Sequence, residues 1–174
     1  MTTLPRPDRL APPLLPGLRV RVATEADIEA VVALRLQLLA EEARSSLFAR
    51  PRHDVEEQAR ALTLTQLASR TDVILLAMHD HVPVGLLRCA VSHATRLVRP
   101  VRYGFVTSAF VEPAHRRRGV LRALVLEAEA WCRLRGLREV RLHCTVENAD
   151  GNASWEALGY EVAEVVRRRP LTEE

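Results

Sequence analysis

The stretch "FVEPAHRRRGVLRALVLEAEAWCRLRG", Phe110 to Gly136, decides how the rest of the chain is read. It joins an apolar, strand-like end to a long amphipathic run through three consecutive arginines and one glycine. From Gly119 to Arg135 the apolar residues recur at helical spacing, with Arg122, Glu129 and Arg133 on a wet stripe. Glu129 and Arg133 stand at the spacing of an intrahelical ion pair, and Gly136 suits the position just past the helix. A helix opening at Gly119 leaves its first backbone N–H groups without intrahelical acceptors and places roughly half a positive charge there. Gly119 has no Cβ, so a ligand can approach the backbone closely. Arg116, Arg117 and Arg118 add mobile positive charge. Such a turn suits a pyrophosphate, although three arginines before a helix also fit a solvated cluster.

Working outward, "LRVRVAT" (Leu18–Thr24) alternates apolar and charged residues, the pattern of a half-buried strand. Thr24 and Asp27 have capping-box spacing, and Ile28, Val31, Val32, Leu36 and Leu39 then follow a helical period. A second helix is expected from Asp54, with Glu57 as its capping partner. "DVILLAM" (Asp72–Met78), "VGLLRCAVS" (Val84–Ser92) and "YGFVTSAFV" (Tyr103–Val111) predict three strands, the first two joined as a hairpin through "HDHVPV". "ATRLVRPVR" reads as a loop. After the arginine-headed helix, Arg138–Glu147 predicts a strand with Val140, Leu142, Cys144 and Val146 on one face. "NADGNASWEALGY" predicts a short helix, and Glu161–Arg168 a last strand. The order β-α-α-β-β-β-α-β-α-β predicts an α/β (α+β) fold with a mixed, mostly antiparallel central sheet flanked by helices.

Size and composition set the remaining limits. The 174 residues fit one domain, and 48% hydrophobic with 27% charged residues fits a packed, soluble core. Residues 1–17 carry five of the ten prolines and read as a tail; the domain is expected over 18–170, with 171–174 a short C-terminal tail. No apolar run nears the roughly 20 residues of a membrane span, and no signal-peptide pattern opens the sequence, so a cytoplasmic protein with no membrane partner is expected. Three cysteines without paired spacing argue for a reducing compartment. Every basic residue is arginine, the net charge is only +3, and no aromatics interleave the arginine clusters. A nucleic-acid partner is therefore not expected. His79 and His81 flank Asp80, too few ligands for a metal site, so no metal is expected.

The succession "R-x-x-G" (Arg116–Gly119), long helix, strand and "N…W-E-x-L-G-Y" resembles the GNAT superfamily of acetyl-CoA-dependent N-acetyltransferases. The likeness runs from "R-x-A-T-x-x-D" (Arg21–Asp27) to the last predicted strand. Val111, Pro113, Arg116 and Gly119 match the family's pyrophosphate-loop pattern, while Leu121 stands where the family prefers Gly or Ala. The resemblance implies acetyl-CoA as co-substrate, held in a splayed gap between Tyr103–Val111 and Arg138–Glu147. It implies pantetheine bonds to the backbone of Phe110 and Val111, and pyrophosphate bonds to the amides of Arg117, Arg118, Gly119, Val120, Leu121 and Arg122. Asn148 would contact the pantetheine arm or adjacent backbone, and Trp155 occupies the place of the family's thiolate-protonating tyrosine. An indole N–H is not a workable acid near neutral pH, so Trp155 is expected to wall the cleft. A homodimer is common in the family.

Acetyl transfer to an amine needs a neutral nucleophile, a donor for the developing oxyanion and a tolerable leaving group. By resemblance the base is a strand carboxylate near Thr107 and Ser108, and neither residue is acidic. Glu112 is the nearest carboxylate, placed by strand alternation on one face with Ser108 and Phe110. His143 on the next strand has suitable chemistry. Both are candidate bases, and Glu147 is a weaker one. The expected function is transfer of an acetyl group to a primary amine of a small molecule or peptide. The alternatives are an acyl-CoA-binding relative without turnover and, further off, a nucleic-acid-binding module.

Overall fold

A computed structural model describes residues 14–171. It forms two compact units, one extending to His143 and the other from Cys144 onward. The first holds the sheet. Strand β1 spans Arg19–Val22, and after a 3₁₀ turn come helices α1 (Ile28–Glu42) and α2 (Val55–Leu67). Strands β2 (Asp72–His79), β3 (Val82–His93) and β4 (Arg102–Val111) form a meander, followed by α3 (Val120–Leu134) and β5 (Val140–Leu142). The sheet order is β1-β2-β3-β4-β5, antiparallel except for the parallel β4–β5 pair. The second unit contains α4 (Ala149–Ala157).

Local chemistry explains the corners. The Asp27 carboxylate accepts from the Thr24 N–H at 2.8 Å and from Arg21 at 2.6 and 2.7 Å. These donors, the Arg21 guanidinium above all, hold it well below the usual carboxylate range. Asp80 and His81 take positive φ values of 48° and 66° to close the β2–β3 hairpin. At the start of α2, Asp54 stands at the N-cap position, but its carboxylate receives Arg52 and Gln58 at 2.8–3.0 Å. The expected Glu57 partnership is displaced by these stronger, longer-reaching donors.

One sheet face packs Val31 and Leu34 of α1 against Ile74, Leu76, Leu86 and Phe110. The other is covered by α3, whose buried stripe is Val120, Leu124, Val125, Ala128 and Cys132. Cys89 and Cys132 are buried free thiols with sulfurs 3.6 Å apart; Cys144 is only half-buried. Sequence periodicity missed Arg35, which is buried and donates to Thr63 at 2.8 Å and to Gln66. Burial, reinforced by Arg88, lowers its pKa to about 10.

Two expectations about strands fail. The fifth strand runs only over Val140–Leu142 rather than to Glu147, and Val146 is exposed instead of sharing an inward face with Val140 and Leu142. No strand forms over Glu161–Arg168, where Val162, Val165 and Val166 are exposed. A strand exists only as one side of a ladder, and the β4–β5 ladder ends at Val106↔Leu142. Among the described residues the later segment has no strand to pair with. Of the expected tail, Leu15 donates its N–H to the Arg118 carbonyl at 3.0 Å. Among the described residues no helix is long and apolar enough to cross a membrane.

Candidate active site

The site begins with a discontinuity in β4. Leu86 pairs with Phe110 and Arg88 with Thr107, so two residues of β4, Ser108 and Ala109, stand opposite Leu87 alone. This is a β-bulge, and Ser108 carries the extra residue at φ 50°, an uncommon left-handed conformation for a residue with a side chain. Past the bulge β4 has no parallel partner: pairing with β5 covers Gly104 to Val106 and stops. The Glu112 N–H bonds the Val84 carbonyl at 2.9 Å. Backbone alternation then directs the groups of Phe110 toward β3 and those of Ala109 and Val111 toward the open edge. Phe110's side chain lies in the core. Of the two expected backbone contacts, Val111 is the one whose groups face this open edge of β4.

Beyond β4, a 3₁₀ turn over Pro113–His115 leads to Gly119, which caps α3 at φ 78°. Arg117 is also left-handed, at φ 59°. Alternation of hand points successive N–H groups to a common side, a concavity that accepts anions. The first backbone amide in this region bonded to a backbone acceptor is Ala123, to the Gly119 carbonyl at 3.0 Å. Among the described residues no acceptor takes the amides of Arg117, Arg118, Gly119, Val120, Leu121 or Arg122. Six N–H groups at a helix head fit a diphosphate.

The three arginines are not equivalent. Arg116 is tied down: its Nε donates to the Val111 carbonyl at 2.8 Å and its terminal nitrogen to Glu41 at 2.7 and 2.8 Å. It also lies 5.6 Å from the centre of the Phe110 ring. The mobile positive charge expected of it is spent joining the strand end to α1. Arg117 and Arg118 are exposed.

The candidate bases separate. The bulge shifts the alternation by one residue, so Thr107, bonded by Arg88 at 3.0 Å, shares the face of Phe110. Ser108 does not, which corrects the single face read from the sequence for Ser108, Phe110 and Glu112. Glu112 instead heads the 3₁₀ turn, with its carboxylate 3.5 Å from His115 Nδ1, within ion-pair range but without a hydrogen bond. His143 is exposed one residue past the last β4–β5 pair, its ring edge-on to Phe105 at 5.0 Å. In the second unit, Asn148 caps α4 by accepting from the Gly151 N–H at 2.9 Å, and Trp155 packs edge-on to Tyr160 at 5.4 Å. Sequence reading missed the Asp72–Arg88–Thr107 chain across β2, β3 and β4, in which Arg88 Nε donates to Asp72 at 2.7 Å. Its signal was available as an arginine inside an apolar strand. Among the described residues no cluster of metal-ligating side chains occurs. A depression lined by Gly17, Arg21, Met78 and His81 lies at the β1–β2 edge, far in sheet order from the end of the β4–β5 ladder.

The chain as a whole has relatives among known proteins. Residues 36–160 match the acetyltransferase (GNAT) family model. An aminoglycoside N(6')-acetyltransferase type 1 of Stenotrophomonas maltophilia is 29% identical over 155 residues, 87% of this chain and 93% of that protein. Another, of Acinetobacter haemolyticus, is 31% identical over 104 residues, 58% of this chain and 70% of that protein. Among solved structures, aminoglycoside N-acetyltransferase AAC(6')-Iy in complex with CoA superposes with a TM-score of 0.76 at 23% identity, covering 91% of this chain and 99% of that one. A predicted acetyltransferase of Clostridium acetobutylicum, solved with acetyl-CoA, gives 0.73 at 17% identity, covering 88% and 96%. The chain belongs to the acetyltransferase (GNAT) family. It is an acetyl-CoA-dependent amine N-acetyltransferase.

Proposed function

We propose that the acceptor is the primary amine of a small molecule, acetylated at the β4 bulge. The observation that carries this reading is the row of unbonded amides from Arg117 to Arg122 at the end of an unpaired strand edge. The diphosphate of acetyl-CoA binds those amides. Its pantetheine arm runs along the open edge at Val111, and the thioester reaches the bulge. The amine nitrogen then attacks the thioester carbonyl carbon, the C–N bond forms, and the C–S bond breaks with its electron pair leaving on sulfur. The nitrogen loses one proton and the thiolate gains one. A thiol pKa of roughly 8.5 makes CoA a fair leaving group without a strong acid, which suits a chain with Trp155 in the tyrosine position.

His143 is the proposed proton acceptor, since it stands exposed beside the bulge region on the same unit. Glu112, directed at His115, is the second choice. His143→Gln is expected to lower kcat about 100-fold, the low end of general-base effects, and to flatten the acidic limb of the kcat/KM profile. An unchanged profile removes His143 and moves the test to Glu112→Gln. The overall reading is checked by thiol release over a panel of amines, with CoA titration followed at the amide resonances of residues 117–122. Resonances that stay still under saturating CoA exclude the placement.

Absence of a carboxylate at Thr107 and Ser108 favours a second reading, an acyl-CoA-binding relative without turnover. That reading requires shifted amide resonances with no CoA produced from any amine.

A further inference from the structure

The side chains that border the bulge form one connected set on the α1 side of the sheet. Tyr103, Phe105 and His143 make a row, with ring centres 6.3 Å apart for the first pair and 5.0 Å for the second. The Arg141 guanidinium lies 4.1 Å above the Tyr103 ring. Phe105 stands opposite Arg141 in the β4–β5 ladder, and the next residue on its face is Thr107, held by Arg88. The row therefore leads straight to the bulge where the acetyl group is placed. Tyr103 and Phe105 are half-buried and His143 is exposed, so the row lies at the surface of the sheet rather than in the core.

Charge is distributed unevenly here. The set contains two carboxylates, and each is already held by an arginine: Asp72 by Arg88 and Glu139 by Arg141 at 2.5 Å. A third cation, the buried Arg35, lies close enough to Arg88 and Asp72 to interact with both, and its Nε has no hydrogen-bond partner. Three arginines thus face two carboxylates. A polyamine with several ammonium groups finds no uncommitted carboxylate among these residues. Bringing further positive charge beside the arginine pair costs energy, because like charges near a low-dielectric surface repel strongly. A single amine on a flat apolar body meets the opposite situation. Its body lies against the ring row, where offset and edge-on aromatic contacts are favourable. Its one ammonium loses its proton more readily in a positive field, and only the neutral amine attacks the thioester.

We infer that the acceptor of this enzyme is an arylalkyl monoamine, bound against the Tyr103–Phe105–His143 row, rather than a polycationic aminosugar like those named for its relatives. This rests on the transferase reading above and narrows it to one substrate class.

The test measures CoA release from phenethylamine, butylamine and kanamycin with the full-length protein. Phenethylamine is expected to exceed kanamycin in kcat/KM by at least about tenfold, and butylamine by about tenfold, in keeping with aromatic contact energies. Phe105→Leu keeps an apolar side chain in the ladder, and should cut the phenethylamine-to-butylamine ratio about fivefold, mostly through KM. Kanamycin as the best acceptor overturns the inference and leaves the transferase assignment intact. A ratio unmoved by Phe105→Leu overturns the placement on the ring row. CoA bound but released from none of the three overturns both this inference and the proposed function, which a wider amine panel then separates: turnover of any other amine restores the function alone.

Discussion

The two halves of β4 have the same kind of sequence and different fates. From Gly104 to Val106 the strand is paired on both sides, to β3 and to β5, and Gly104 sits in a tight place between layers. From Thr107 to Val111 it keeps only β3. The dividing point lies beside the Ser108 bulge, two residues past the last β4–β5 pair, Val106↔Leu142. A sheet completed on both edges has nothing left to offer a ligand. A strand that loses one partner but stays anchored by the other presents backbone donors on a rigid support, which is what an acyl-CoA arm requires.

The contrast can be broken at the helix head with the largest effect. Gly119 has φ 78°, a conformation that a β-branched residue resists, and its position abuts the open amides. Gly119→Val is expected to weaken CoA binding about 100-fold, roughly 2.7 kcal/mol. Calorimetric titration with CoA reads this, and circular dichroism checks that α3 persists. A near-native dissociation constant in a folded variant removes the diphosphate from this turn.

In the paired half, a Cβ on Gly104 would run into the Cys132 sulfur and touch the Cys89 sulfur at 3.4 Å. Gly104→Ala should destabilise the fold by about 2 kcal/mol, as overpacking does, with CoA affinity of the folded fraction unchanged. Urea denaturation measures it. Loss of affinity at native stability would mean that the two halves are not separable.

At the dividing point the effect is smallest and has the opposite sign. Ser108→Gly relieves a left-handed residue of its Cβ and should stabilise by about 0.5 kcal/mol. Its acetylation rate then tells whether the Ser108 hydroxyl takes part in the chemistry: a drop in kcat beyond about tenfold gives it a role that the backbone alone does not explain.

Much of this was legible beforehand, for reasons particular residues make plain. The α3 helix could be read from its apolar stripe, and its head from Gly119, because both depend on neighbours in sequence. The Glu129–Arg133 pair was legible on the same ground, and is present at 2.6 Å. The strand expected over Glu161–Arg168 was not reliable, because alternating valines state a preference for a ladder and cannot supply the partner. The face assigned to Ser108 was wrong for a related reason. Counting by twos between Ser108 and Phe110 assumes an unbroken pleat, and the bulge resets the count so that Thr107 shares the face of Phe110 instead.

The amino-acid sequence alone determined the order of strands and helices as far as α4, the glycine-headed helix α3, and the family to which such a succession belongs. Those features rest on local spacing, capping and backbone freedom. Only the tertiary structure decided that Arg116 serves the fold through Glu41 and Val111, that Arg88 binds Asp72 and Thr107 across three strands, and that the β4–β5 ladder ends at Val106. Each of these joins residues far apart along the chain. No local pattern encodes them, because which strand a residue faces is fixed by register, and a single bulged residue can change it.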